Sequence, residues 1–398
     1  MSGKMKAVRM YADWEPKPGF KLGAKDIEGR QTYLGSQVWR NPKLKIEEVA
    51  IPEPKANEVL LQVKACGICG SDVHIAQADD KGYMLYPGLT GFPSTLGHEV
   101  SGIVVKAGAN ARDKATNKPF EGGEWVCTEE MVWCGACQPC ADGYLNHCER
   151  LDEIGINIDG GFAQYIVLPD RLLWSLNPLR GVYADKDIFK LGAFVEPTCV
   201  AYTAVIVRGG GIRPGDNVVI LGAGPIGLAA CAILKRQGAA RVILSEPAED
   251  RAELGRKMGA DFVINPLTTN FAEKVLEITS GMGASLFLEA TGLPTVVYPG
   301  IEQVIWEGRT LNSTIVVVAR ADAKIPVTGE VLQVRHANLV GSQGHSGNGT
   351  FPRVIQAMAT GMNMLPLITK EISLDEVPAN IIGLQTDKRN CKITCVMD

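Results

Sequence analysis

The chain has 398 residues and a mass of 42.7 kDa, which at roughly 150 residues per domain allows two to three domains. Hydrophobic residues are 46% and charged residues 21%, an ordinary globular balance that excludes a wholly disordered chain or a collagen-like fibre. With 40 Lys and Arg against 44 Asp and Glu, a pI near 5.9 and 6% aromatics, the chain lacks the basic field and stacking surfaces that nucleic-acid binding uses.

No apolar segment follows the charged residues 1–10, so no secretory leader is expected, and the chain reads as soluble and cytoplasmic. Up to about residue 195, short β-branched runs at 58–63, 102–105, 125–127 and 162–167 alternate with Gly, Pro and irregular stretches. That is the texture of a β-rich, loop-rich domain. From there the pattern alternates: strand 217–221, helix 225–237, strand 241–245, helix 248–258, strand 261–264. It continues with helix 270–279, strand 286–289, helix 294–306, strand 314–318 and a last strand at 338–341. Such alternation predicts a doubly wound parallel sheet covered on both faces. The apolar stretch 217–234 is long enough to suggest a membrane span, but Pro225 and three glycines interrupt it. A helix at 351–360 and a strand at 392–397 are too few for a core of their own. The expected division is therefore a first domain at 1–200, a second at 201–344, and a tail at 345–398 packing back on the first.

Gly222-Ala223-Gly224-Pro225-Ile226-Gly227 follows a strand and opens a helix. The first glycine allows the tight turn, the second admits a pyrophosphate, and the third lets helix and strand approach. The phosphates then lie on the positive end of the helix. Glu246 ends the next strand, where a carboxylate accepts hydrogen bonds from a ribose and repels a 2′-phosphate, favouring NAD. Arg251 reads either as a flank of the adenosine ribose, which keeps NADP open, or as a solvated helix residue.

Of 11 cysteines, Cys134, Cys137, Cys140 and Cys148 fall within 15 residues. Four thiolates satisfy tetrahedral Zn²⁺ with no open position, so the site is structural; an iron–sulfur cluster competes for the same sulfurs. His147 is read as a surface residue. A second set is Cys66, Cys69, Ser71 and His74, then Gly97-His98-Glu99, then Glu196-Pro197. One thiolate, one imidazole and carboxylates suit an open zinc site that polarises an alcohol or carbonyl oxygen. Taken singly, either cysteine reads equally as core and Glu99 as a strand-edge acid.

In this order, Gly67-Ile-Cys69-Gly-Ser71-Asp72-Val-His74, Gly97-His98-Glu99, the four-cysteine lobe, Gly160-Gly-Phe-Ala-Gln-Tyr165, Glu196-Pro197 and the glycine motif resemble the zinc-dependent medium-chain alcohol and polyol dehydrogenases. The resemblance covers nearly the whole chain, and Glu196-Pro197 has the form found in the sorbitol dehydrogenase-like branch. It implies a GroES-like β-rich catalytic domain, a Rossmann cofactor domain, NAD, one catalytic and one structural Zn²⁺, and a homodimer or homotetramer without nucleic-acid or membrane partners. By position, Cys69 and His98 match ligands of the catalytic zinc, and Glu99 and Glu196 match acids that ligate it directly or through water. Cys66 matches no ligand and is assigned to the core. Ser71 matches the hydroxyl that bonds the substrate oxygen, and His74 the far end of a proton relay. Lys392 falls near a basic position that touches cofactor phosphates in some relatives.

The chain departs from the common family pattern by longer segments at 13–41, 82–92 and 114–121. Trp39, Tyr83 and Tyr86 there are candidates to wall a pocket for a many-hydroxyl ring, with surface decoration or a subunit contact as the alternative. Arg320-Ala-Asp322 and Gly341-Ser-Gln343-Gly-His345-Ser346 follow late strands, at the edge where such sheets bind ligands. The N-terminal extension, the stretched segment before Gly97 and the 341–352 segment are similar to the bacterial scyllo-inosose dehydrogenase branch. That likeness implies a cyclitol substrate, whereas the residues alone support only a polyhydroxylated small molecule. A linear polyol, sugar or threonine dehydrogenase, a glutathione-independent aldehyde dehydrogenase and a non-catalytic NAD-binding protein are the competing readings.

Overall fold

The computed structural model describes residues 3–23, 31–32, 34–320, 324–387 and 389–398. In chain order the first segment contains β1 (Lys4–Trp14), β2 (Trp39–Ala50), β3 (Glu58–Gly67), α1 (Gly70–Ala76), β4 (Glu99–Ala107), β5 (Trp125–Thr128), β6 (Tyr165–Pro169) and β7 (Leu173–Ser175). Helix α2 (Asp185–Tyr202) follows, then β8 (Asn217–Leu221), α3 (Pro225–Gln237), β9 (Arg241–Ser245), α4 (Glu249–Lys257), β10 (Phe262–Ile264) and α5 (Phe271–Ile278). Next come β11 (Leu286–Glu289), α6 (Pro294–Glu307), β12 (Thr314–Val317), α7 (Gly329–Arg335), β13 (Asn338–Gly341) and α8 (Thr350–Ala359). The chain ends with β14 (Ile368–Ile372), α9 (Val377–Gly383) and β15 (Lys392–Val396). These elements form two compact units, Met1–Glu196 with Ile368–Asp398, and Pro197–Leu367.

In the first unit the main sheet has the order β7-β5-β4-β3-β15-β14. One edge of β3 is shared: Glu58 to Gln62 pair with β6, and Ala65 to Gly67 pair with the returning β15. Its core gathers side chains distant in sequence, among them Val63, Leu96, Phe162 and Ile393. The second unit is a six-stranded parallel sheet, β10-β9-β8-β11-β12-β13. Its inner strands are apolar almost throughout because helices cover both faces. Helix α3 starts with Pro225, where a missing N–H costs nothing, and stops at Gly238 in the left-handed region at φ 101°.

Two boundaries differ from expectation. The units divide after Glu196, and the tail rejoins the first unit from Ile368 rather than from 345. Helix α8 stays with the parallel sheet: it buries Phe351, Val354, Ile355 and Met358, and Arg236 of α3 donates to Thr360 Oγ1 at 2.7 Å. The apolar stretch at 217–234 resolves into β8 and most of α3. A different helix, Asp185–Arg208, is long and apolar enough for a span, but 72% of its most apolar window is buried inside the protein.

Candidate active site

In the first unit, β3 leads into Cys69, the N-cap of α1. The Cys69 N–H donates to Asp72 Oδ2 at 2.8 Å, and the Asp72 N–H returns a bond to the Cys69 sulfur. This capping box fixes the thiol at the start of the helix. His98 and Glu99 enter from β4, where Glu99 is the register partner of Gly67. Two glycines make that approach possible. A Cβ on Gly67 would stand 1.9 Å from Glu99 Oε2, and Gly97, at φ +91°, would put one 2.8 Å from Cys66 Sγ and the Phe162 ring. Cys66 itself lies in the core.

One ligand atom from each of Cys69, His98 and Glu99 lies within 4.8 Å of the others. Tetrahedral zinc places its ligand atoms about 3.3–3.8 Å apart, a small adjustment from there. His98 Nδ1 and Glu99 Oε2 are buried with no hydrogen-bond partner among the described residues. The surroundings are negative: Asp72, Glu99, Glu130 and Glu196 are all buried, and Lys392 is the buried cation among them. Burial alone disfavours a protonated His98, yet Cys69, Asp72 and Glu130 outweigh it and push its pKa well up. A buried set with this excess of negative charge fits a bound cation.

Glu196, late in α2, is 5% exposed, and one of its carboxylate oxygens is within 4.8 Å of one on Glu130. Sequence reasoning missed Glu130; its signal was the acid pair Glu129-Glu130 after a short apolar strand and just ahead of the cysteine lobe. Lys392 also differs from expectation. It is 2% exposed and donates to Glu99 Oε1 at 2.5 Å and to the Ile68 carbonyl at 2.9 Å, so its ammonium serves Glu99 rather than a phosphate. Burial lowers the pKa of Lys392, but the charges of Glu99 and Cys69 outweigh it and raise it. Ser71 and His74 sit one turn apart on α1. Ser71 Oγ is buried with no hydrogen-bond partner among the described residues, and His74 is exposed.

In the lobe, sulfurs of Cys134, Cys137, Cys140 and Cys148 lie within 4.8 Å of one another, and none of the chain's cysteines is in a disulfide. Backbone N–H groups point at them: Ala136 to Cys134 at 3.4 Å, Cys134 and Arg150 to Cys148 at 3.3 and 3.4 Å. The Ala136 N–H is the main reason the Cys134 thiol is held down to about 6. Donors aimed at sulfur favour thiolates, the form that binds zinc. His147 is exposed, outside the set.

In the second unit, Gly222 has φ +98°, and a Cβ on Gly227 would stand 2.0 Å from the Gly222 carbonyl oxygen. A Cβ on Gly224 would meet nothing within 4 Å. The first and third glycines thus answer to the protein, and the second leaves free the space where a pyrophosphate fits. Glu246 is 7% exposed and accepts from Ala223 N at 2.8 Å and Ala248 N at 2.9 Å. Arg251 is half-buried on α4, and its Nε has no hydrogen-bond partner among the described residues.

The extensions at 13–41 and 82–92 meet through buried rings. Trp39 is 2% exposed, edge-on to Trp14 and Phe92. Tyr83 is 6% exposed, between Lys17 and Arg40, and Tyr86 is buried too. Trp39 and Tyr83 thus link the extensions at 13–41 and 82–92 to each other. Residues 24–30 and 33 of the first extension, and Ala321 and Asp322, lie outside the described residues. His345 and Ser346 are buried, with His345 edge-on to Phe351.

A GroES-like β domain carrying two zinc-type ligand sets, joined to a dinucleotide-type parallel sheet, defines a class, and the chain belongs to it: the zinc-binding alcohol dehydrogenases. Residues 55–178 match the alcohol dehydrogenase GroES-like domain, and residues 225–360 the zinc-binding dehydrogenase domain. The chain is 62% identical over 393 residues to the scyllo-inosose 3-dehydrogenase of Thermotoga maritima, covering 98% of this chain and 99% of that one. A solved Thermotoga maritima structure assigned as an alcohol dehydrogenase superposes with a TM-score of 0.96 at 61% identity, over 99% of this chain and 100% of that one. A zinc-binding dehydrogenase of Sinorhizobium meliloti 1021, solved with NADP bound, gives a TM-score of 0.78 at 26% identity, over 99% and 100%.

Proposed function

We propose that this dehydrogenase oxidises a secondary hydroxyl of a keto-cyclitol, scyllo-inosose or a related inositol derivative, with NAD⁺. The observation that carries the substrate is the full-length identity to the scyllo-inosose enzyme.

Cys69, His98 and Glu99 would hold the catalytic zinc, with Glu196 beside them, and the four-cysteine lobe the structural one. Bound zinc supplies Lewis acidity to the reacting oxygen, and NAD⁺ is the hydride acceptor. As Ser71 Oγ accepts the hydroxyl proton it gives up its own toward His74, exposed one turn along α1, which passes it to solvent. Residues 222–227 receive the pyrophosphate at the start of α3, with Arg251 flanking the adenosine ribose. Glu246 accepts from that ribose with the lone pairs its two backbone partners leave, which sets it against a 2′-phosphate. The enzyme is read as cytoplasmic, a homodimer or homotetramer.

The test is NADH formation from scyllo-inosose, myo-inositol, sorbitol, threonine and ethanol, each with NAD⁺ and NADP⁺, on protein of measured zinc content. Selective turnover of a cyclitol with NAD⁺ is expected. Zinc-replete protein that turns over threonine or sorbitol in preference would overturn the substrate.

A further inference from the structure

Strands β8 and β11 are neighbours in the parallel sheet, though β9 and β10 separate them in sequence. The strand order reverses between them, and ligands bind in the crevice outside the carboxyl ends of such a pair. The glycine motif leaves β8 on one side of that crevice. The turn Ala290-Thr291-Gly292 leaves β11 on the other. The two turns touch: Ala290 N donates to the Leu221 carbonyl at 3.0 Å, and a Cβ on Gly222 would stand 2.9 Å from the Ala290 oxygen and 3.2 Å from Thr291 Cγ2.

What holds the second turn is a buried carboxylate. Glu289 ends β11 and is 1% exposed. Its register partners are Leu221 and Val317, so it takes a position that belongs to the apolar face of the sheet. An acid there costs stability unless its oxygens find donors. Oε1 finds three: Thr291 N at 2.8 Å, Thr291 Oγ1 at 2.5 Å and Gly292 N at 3.0 Å. The Thr291 hydroxyl also accepts from Leu293 N at 2.9 Å, just ahead of α6. Gly292 closes the turn at φ +73°. Among the described residues Oε2 is buried with no hydrogen-bond partner, so the bonding falls to Oε1.

We infer that Glu289 is a positioning residue for the dinucleotide: through Oε1 it sets the 290–292 turn as the second wall of the cofactor crevice. The inference rests on the NAD part of the proposed function and names a residue outside the glycine motif and its ribose acid. Gln at this position keeps an acceptor for the three donors, whereas Ala leaves all three unpaired.

The experiment uses the full-length, zinc-replete chain and titrates NADH by fluorescence without substrate. Glu289→Ala is expected to raise the NADH Kd about tenfold, and Glu289→Gln to stay within about twofold of the parent. The KM for NAD⁺ rises with that Kd, while zinc content and the KM for the alcohol do not move. Should Glu289→Ala not fold, Thr291→Val removes one donor and is expected to weaken NADH binding by a smaller factor. A folded Glu289→Ala, or failing it a Thr291→Val, that binds NADH like the parent overturns the inference. So does equal loss in Ala and Gln, because the charge would then matter and not the turn. A parent chain that binds no NADH overturns the NAD reading itself, a result separable from the variants.

Discussion

Gly67 needs none of glycine's left-handed freedom; it is glycine because Glu99 occupies the space of a side chain. The residue thus admitted is paired with Lys392, and both are essentially inaccessible to water, at 0% and 2% exposed. Removing one partner of such a pair leaves an uncompensated buried charge. Lys392→Met should therefore lower unfolding stability by about 3 kcal/mol in urea denaturation, and adding Glu99→Gln should recover part of it. If the double variant is no more stable than the single one, the ion pair is not what Lys392 contributes. A second lysine gives a pH signature. Lys114 Nζ lies 3.4 Å from the centroid of the Trp174 ring, donates to the Arg171 carbonyl at 2.6 Å and is 3.5 Å from Glu129 Oε1. Burial outweighs the attraction of Glu129, Cys127 and Asp113 and lowers its pKa to about 8. Above that value the folded chain has released a proton that the unfolded chain keeps up to about pH 10.4. Stability from this site therefore rises with pH across that window. The parent's stability minus that of Lys114→Met should grow between about pH 8 and about pH 10. A constant difference would mean that Lys114 titrates like an exposed lysine.

At the scale of elements, the glycine turn separates what serves the fold from what serves the ligand. A methyl on Gly227 strikes the Gly222 carbonyl, whereas one on Gly224 meets nothing within 4 Å among the described residues beyond its chain neighbours. Gly227→Ala should thus lose both thermal stability and NADH binding, and Gly224→Ala should lose NADH affinity at unchanged melting temperature. Loss of stability in Gly224→Ala would show that its open space belongs to the fold. That turn was legible before any coordinates, as were the bounds of β8, β9, β11 and β13, because buried parallel strands are short apolar runs cut off by glycine and polar residues. The candidate metal ligands were legible for a related reason: their spacing is local within each segment. The partners of those ligands were not. Lys392 meets Glu99 across 293 positions, and only the return of the last strand brings them together. Glu130 likewise gains meaning from what folds around it, and so do Lys17 and Arg40, which meet over the Tyr83 ring from a different segment.

For the molecule as a whole, the two units differ in how they are drawn from the chain. The cofactor unit is one continuous piece, Pro197–Leu367, whereas the other needs the last segment, Ile368–Asp398, to complete its sheet. Strand β15 does more there than cover an edge. The Ile68 N–H donates to the Ile393 carbonyl at 2.9 Å, and Lys392 Nζ bonds the Ile68 oxygen. The residue before Cys69 is thus held through both its backbone groups. A chain ending at Leu367 lacks β14 and β15, leaves Ala65 to Gly67 as an unpaired edge, and leaves Glu99 without its cation. Neither the four-cysteine lobe nor the parallel sheet draws a strand from the missing segment. Elemental analysis of that truncated chain should find zinc falling from about two per chain to about one, the lobe's share. NADH titration should find binding retained, since 197–367 carries the glycine motif, Glu246 and Glu289. Two zincs in the truncated chain would show that β3, α1 and β4 assemble the ligand set unaided, and loss of NADH binding would show that the cofactor unit depends on the returning segment.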